Sequence, residues 1–158
     1  MIKFKDLLIA PPTIFSYVVI PHIIAFLIFD TKYYLNVYLD VLAGIFFLLF
    51  LIFVIFSMYY FFKFRIDPSP WKNNSKKLFT SGLYKVSRNP LYVSLLFLLI
   101  SIGLLTMPFL LIVTIPLLVL LLNIIIKNEE KFLREFYQEE YVEYFNRTPR
   151  WILFKPRI

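Results

Sequence analysis

The stretch "LYVSLLFLLISIGLLTMPFLLIVTIPLLVLLLNIIIKNEE", residues 91–130, decides the architecture. It holds two uncharged apolar runs, 91–106 and 108–126, parted only by "TMP" around Pro108, with Gly103 close by. A hydrocarbon core of about 30 Å takes roughly 20 helical residues to cross, so each run is long enough, or nearly so, to span it. So short a connection forces an antiparallel helical hairpin. The apolar sequence stops abruptly at Lys127, and two adjacent carboxylates, Glu129 and Glu130, follow. The other mouth of the hairpin carries Arg88, Asn89 and Pro90.

Working outward, the 158-residue chain is 60% hydrophobic, against about 45–50% apolar residues in soluble domains. Two further spans are expected at roughly 7–29 and 37–62. Pro11, Pro12 and Pro21 remove backbone donors from the first and should kink or delay it. His22, just after Pro21, is expected to bond to a carbonyl that the proline leaves free. Beyond the hairpin, "KNEEKFLREFYQEEYVEYFNRTPRW" (127–151) places Phe132, Leu133, Phe136, Tyr137, Tyr141, Tyr144 and Phe145 at helical spacing. It reads as an amphipathic helix at the interface. The expected fold is all-α: one polytopic membrane helical bundle over 1–158, with about four transmembrane helices and a C-terminal amphipathic helix.

Composition removes several kinds of chemistry. The chain has no cysteine, hence no disulfide, thiolate nucleophile or cysteine-ligated metal. A single histidine makes a histidine-built metal centre or a Ser-His-Asp triad a poor expectation, and no metal is expected. The formal net charge is +7. Lys and Arg number two at the N-terminus, one in the 30–36 loop, seven in 63–90, none at the Pro108 turn and seven after residue 126. Alternating rich and poor loops place both termini in the cytoplasm by the positive-inside rule. The charge is therefore a topology and lipid-headgroup signal, with no motif for nucleic acid beside it.

This topology puts Arg88 and the Glu129–Glu130 pair on one side of the membrane, at the two mouths of one hairpin. Asn89-Pro90 suits a helix start, since Asn caps free N–H groups and Pro fits the first turn. Arg88 alone would serve as a snorkelling lipid anchor. Glu139, Glu140 and Glu143 belong to a solvated helix face. Glu129 and Glu130 differ, because anionic headgroups repel carboxylates at a membrane exit and a cationic or hydroxyl-rich ligand would justify them.

These residues resemble the integral-membrane methyltransferases that include isoprenylcysteine carboxyl methyltransferases and phospholipid methyltransferases. The resemblance rests on Thr80-Ser81-Gly82-Leu83-Tyr84, Arg88-Asn89-Pro90-Leu91-Tyr92, the apolar hairpin, Glu129-Glu130, "EEYVEY" (139–144) and "RTPRW" (147–151). It covers roughly residues 75–153. It implies S-adenosylmethionine as cofactor, held by segments 76–92 and 127–151. The implied cofactor contacts are Lys76, Lys77, Leu78, Phe79, Tyr84, Asn89, Pro90, Leu91, Tyr92 and Glu129. Arg88 and Glu130 are the implied catalytic residues, and Lys127 and Arg150 the substrate contacts. The chemistry implied is in-line displacement at the sulfonium methyl. A carboxylate acceptor needs no base there, whereas an amine must lose a proton, with Glu130 the nearest candidate.

Three positions depart from the pattern. Asn89 stands where the family's histidine is usual, as in phospholipid-type relatives, and cannot be a titrating base. Ser94 replaces a glycine. Ile125 occupies the place of an arginine that serves the substrate carboxylate in isoprenylcysteine enzymes, and Lys127 is the nearest substitute. The implied activity is methyl transfer to a lipid-like or amphiphilic acceptor reached from the bilayer, isoprenylcysteine carboxyl methyltransferase-like. The alternative is phospholipid N-methylation of the phosphatidylethanolamine type. An NADPH-dependent membrane reductase and a non-enzymatic scaffold are the competing classes. A soluble Rossmann-type methyltransferase is excluded by the lack of a Gly-x-Gly-x-x-Gly loop.

Overall fold

The computed structural model describes residues 11–29, 36–64 and 78–152. They form four α-helices: α1 (Pro11–Ile28), α2 (Val37–Phe64), α3 (Pro90–Thr106) and α4 (Leu111–Arg147). Short 3-10 turns occupy Gly82–Lys85 and Pro108–Leu110. Among the described residues there is no strand. Three helices are long and apolar enough to cross a membrane, α4 together with the turn before it, and α3 is a shorter apolar helix of 17 residues. The protein is an all-α integral membrane protein.

Helix starts follow local chemistry. The Asn36 side chain accepts the Tyr38 N–H at 2.9 Å, and Asp40 lies in the first turn of α2, where the helix dipole favours an anion. α3 opens on Pro90, whose missing N–H has no intrahelical role at that position. α4 covers 37 residues with a break at Gln138, and its stretch before that break already holds more than the roughly 20 residues that a hydrocarbon core of about 30 Å takes. Its polar continuation is therefore the same helix as the fourth span. The amphipathic segment does not begin as a separate helix at the membrane exit. The break comes later, at Gln138, with φ 50° and ψ −120°.

Contacts divide the chain into two units, Met1–Phe50 with Leu95–Ile125 and Leu51–Ser94 with Ile126–Ile158. The first has a core of Ile14, Val18, Ala25, Ala43, Leu99, Leu118 and Leu122. Fully buried His22 approaches Thr106 Oγ1 and Thr114 Oγ1, each at 3.1 Å, one through each ring nitrogen. These are side-chain partners, not the carbonyl freed by Pro21 that sequence reasoning expected. Gly103 is needed beside them, because a side chain there would run into Leu111 and His22. Ser101 Oγ donates to Ala43 O at 3.0 Å. In lipid, such close approaches and hydrogen bonds replace the hydrophobic drive that water supplies elsewhere.

The second unit holds the C-terminal part of α2, residues 78–89, the start of α3, and α4 from Ile126 to the chain beyond it. Its aromatic cluster joins Tyr60, Phe64, Phe79 and Tyr84, with the Phe79 ring 4.9 Å from both Tyr60 and Phe64. Gly82 has φ 62°, and a side chain there would collide with the Tyr60 ring. Both facts call for glycine.

Candidate functional site

All of the polar cluster described next lies in the second unit. Its centre is Glu130, 8% exposed, between two arginines. Arg88, also 8% exposed, donates from Nη2 at 2.8 Å and from Nε at 3.2 Å to Glu130 Oε1. Arg150 donates from Nε to the same oxygen at 3.1 Å and from Nη2 to Oε2. A buried ion pair is tolerated only where further hydrogen bonds satisfy the remaining protons, and Arg88 has them. Its Nη1 donates to the carbonyls of Phe145, at 2.9 Å, and Thr148. The guanidinium also lies 4.1 Å from the centre of the Phe145 ring, within cation–π range.

The loop before α3 is tied to the segment after α4 along several residues. Arg88 N–H donates to Pro149 O at 2.8 Å. Ser87 Oγ donates to Arg150 O at 2.8 Å and accepts the Asn89 N–H at 3.0 Å. Asn89 Nδ2 donates to Arg150 O at 3.2 Å, so this side chain holds the C-terminal segment as well as standing at a helix start. Tyr144 O–H donates to Tyr84 O at 2.7 Å. Ser87, Tyr144, Phe145 and Thr148 were not singled out as site residues from sequence. Tyr144 stood in the apolar stripe and in the "EEYVEY" motif, and Phe145 in the stripe alone, neither with a role assigned. Backbone carbonyl acceptors such as Thr148 O leave no trace in residue type.

Beside this frame stands a second pair. Tyr92 O–H donates to Glu129 Oε1 at 2.7 Å. Glu129 lies three residues past the apolar run, and burial pushes its carboxyl up to about 7. The Tyr92 hydrogen bond opposes that rise and the charge of Glu130 adds to it. Burial, with the Glu129 charge second, raises the Tyr84 phenol too. Desolvation of the charged form is the common cause.

Of the expected residues, Tyr84, Arg88, Asn89, Pro90, Leu91, Tyr92, Glu129, Glu130 and Arg150 belong to one unit; the bonds just given join Arg88, Glu130 and Arg150, and separately Tyr92 and Glu129. Phe79 packs on Tyr84 with ring centres 5.4 Å apart, and Leu78 adjoins it in sequence. Lys127 is exposed on α4. Lys76 and Lys77 lie outside the described residues. Among the described residues no group of three or more His, Cys, Asp or Glu is placed to hold a metal.

The sequence pattern of the phospholipid methyltransferase family matches residues 39–140. The chain belongs to the phospholipid methyltransferase family. The match covers well over half of the chain, including the loop before α3, both arms of the hairpin and the Glu129–Glu130 pair. No curated protein and no solved structure matches. Family and apolar helices together make this an integral-membrane methyltransferase with a lipid substrate and a methyl donor.

Proposed function

We propose that the protein transfers a methyl group from S-adenosylmethionine to a lipid-like acceptor at the cytoplasmic face of the membrane. The reading is carried by the Tyr92–Glu129 hydrogen bond, 2.7 Å, beside the Arg88–Glu130–Arg150 cluster. Arg88, Tyr92, Glu129 and Glu130 are residues of the family-matched loop and helices, and Arg150, beyond the match, completes the cluster.

The donor set fits the cofactor. A carboxylate next to two tyrosine phenols suits hydroxyl and ammonium groups, and the Phe79–Tyr84 pair suits a purine ring. Leu91 and Tyr92, in the first turn of α3, offer N–H groups that an α-helix does not pair internally. Residues 76–79, Tyr84, Asn89 to Tyr92 and Glu129 would hold the cofactor. When bound, it supplies an electrophilic methyl group.

Arg88 and Glu130 serve this reaction by holding the loop and the 145–150 segment in register. Four of the five N–H donors of Arg88 are engaged within the protein, on Glu130 and two carbonyls. Proximity, alignment and removal of water can lower a barrier by about 7–11 kcal/mol, so a rigid frame has direct kinetic value. Arg150 and Lys127 remain the residues for an anionic part of the acceptor, which enters laterally from lipid. An N-methyltransferase acting on a phospholipid amine and an isoprenylcysteine-type carboxyl methyltransferase both fit this frame. Family membership and Ile125, in place of the carboxylate-binding arginine, favour the amine.

Labelled S-adenosylmethionine and NADPH, offered to detergent-purified protein, test the reading. Saturable binding of the first alone is expected, together with label transfer to lipid. Binding of NADPH alone, or of neither, would replace the methyl-donor assignment.

A further inference from the structure

An amine must lose a proton to be methylated, and the base needs an oxygen that is not already occupied. Donor counting separates the two adjacent glutamates. Glu130 Oε1 accepts from Arg88 Nε, Arg88 Nη2 and Arg150 Nε, while Oε2 accepts from Arg150 Nη2. Both oxygens face N–H donors, and a proton placed there would strip buried Arg88 of its counter-charge. Sequence reasoning made Glu130 the nearest base; its surroundings suit it to holding the frame.

Glu129 projects from a different face of α4, since successive helical residues lie about 100° apart. Its Oε1 accepts from Tyr92 O–H, and among the described residues no donor is seen on Oε2. Resting on the methyltransferase reading above, we propose that Glu129 takes the proton from a primary or secondary amine of an amphiphilic lipid, with Tyr92 holding its carboxylate. The ammonium N–H bond breaks, its electron pair stays on nitrogen, and the proton passes to Glu129 Oε2. The nitrogen lone pair is then free to accept a methyl group. The carboxyl returns its proton to water once the product has left.

A base is most effective when it titrates near the working pH, and burial has moved Glu129 up to about 7. The groups facing it are Tyr92 on α3, Tyr84 in the 3-10 turn and Glu130 on α4 itself, the last carrying Arg88 and Arg150. Tyr92 lowers the proton affinity of Glu129 by favouring the carboxylate, and Glu130 raises it by like-charge repulsion.

The test has a spectroscopic and a kinetic arm. Infrared difference spectra of the full-length protein in detergent are recorded across neutral pH. A protonated-carboxyl band should fade as pH rises in the wild type, be missing in Glu129→Gln, and fade at higher pH in Tyr92→Phe. The kinetic arm uses saturating S-adenosylmethionine and vesicles of phosphatidylethanolamine in phosphatidylcholine. Wild-type kcat should rise about tenfold per pH unit on the acid side and then level off. Glu129→Gln should lose tenfold or more in kcat, and that limb with it, even at saturating cofactor. A band that survives in Glu129→Gln overturns the proposal. So does a kcat restored by more cofactor, which would leave Glu129 a cofactor contact only, or turnover confined to carboxylate-bearing lipids. A wild type that binds no S-adenosylmethionine sinks the methyltransferase site reading instead, and the infrared titration still decides whether Glu129 takes up the proton.

Discussion

Adjacent glutamates with the same charge acquire different surroundings, and at the scale of single residues that difference carries the consequences. Glu129→Gln keeps size and helix preference while removing charge. S-adenosylmethionine affinity should fall by about 1.5–3 kcal/mol, the range for a hydrogen bond to a charged group. Titration calorimetry measures this, and Glu143→Gln, on an exposed i,i+4 pair with Arg147, should change nothing. Unchanged affinity in Glu129→Gln would remove it from the cofactor set. The pH dependence follows from the same carboxyl. A cationic ligand binds the ionised form, so affinity should be full above about 7 and decline as pH falls through that value. A flat profile would show that the carboxylate does not meet the ligand. Arg88→Lys keeps a charge and loses the planar fork. It gives up bonds to Phe145 O, Thr148 O and Glu130, so turnover should drop at least tenfold, about 1.4 kcal/mol, with a lower melting temperature and normal insertion. Wild-type turnover in that variant would show that a buried positive charge suffices and that the fork is not needed for the reaction. The arginine and both glutamates were legible in the sequence, because charges at the mouths of an apolar hairpin stand out. Their pairing was not, since nothing in residue type says that Arg150 reaches Glu130 or that Asn89 reaches a carbonyl.

Helices expose a different limit on sequence reading. Apolar runs locate α2, α3 and the start of α4 closely, because hydrocarbon demands a continuous internally bonded backbone. Where α4 ends is less visible, since the polar, aromatic stretch after Ile126 has helical periodicity whether it continues the span or starts afresh. The break at Gln138 carries no glycine or proline to announce it, and a non-glycine residue with positive φ costs on the order of 1–3 kcal/mol. Tertiary bonds hold it, among them Tyr144 O–H on Tyr84 O beyond the break. Gln138→Gly should therefore raise the melting temperature in detergent, and Gln138→Val, β-branched, should lower it. A destabilised glycine variant would mean that the break is not strained. His22 makes the same point within the other unit. Pro21 pointed to a freed carbonyl, but the two threonines that the histidine meets lie 84 and 92 positions away in sequence.

For the whole molecule, charge suggests an orientation to test, and one hydrogen bond fixes which segments must share a side. From the Lys and Arg distribution we propose that the 63–90 loop and the segment after residue 126 face the cytoplasm, with the uncharged Pro108 turn outside. Tyr144 O–H on Tyr84 O, 2.7 Å, requires the loop before α3 and the end of α4 to share a side, whichever side that is. Because the chain has no cysteine, single cysteines at Lys85, Phe109 and Glu143 report without background. In sealed inverted vesicles, an impermeant maleimide should label the Lys85 and Glu143 positions and spare Phe109; in right-side-out vesicles the pattern should reverse. Labelling of all three sites with sides exchanged would leave the site intact but move it to the outer face, away from cytoplasmic S-adenosylmethionine, which the proposed activity could not survive. Labelling of Lys85 and Glu143 from opposite sides would be incompatible with the Tyr84–Tyr144 bond and with any site built from both segments, since a hydrogen bond cannot bridge a hydrocarbon core of about 30 Å.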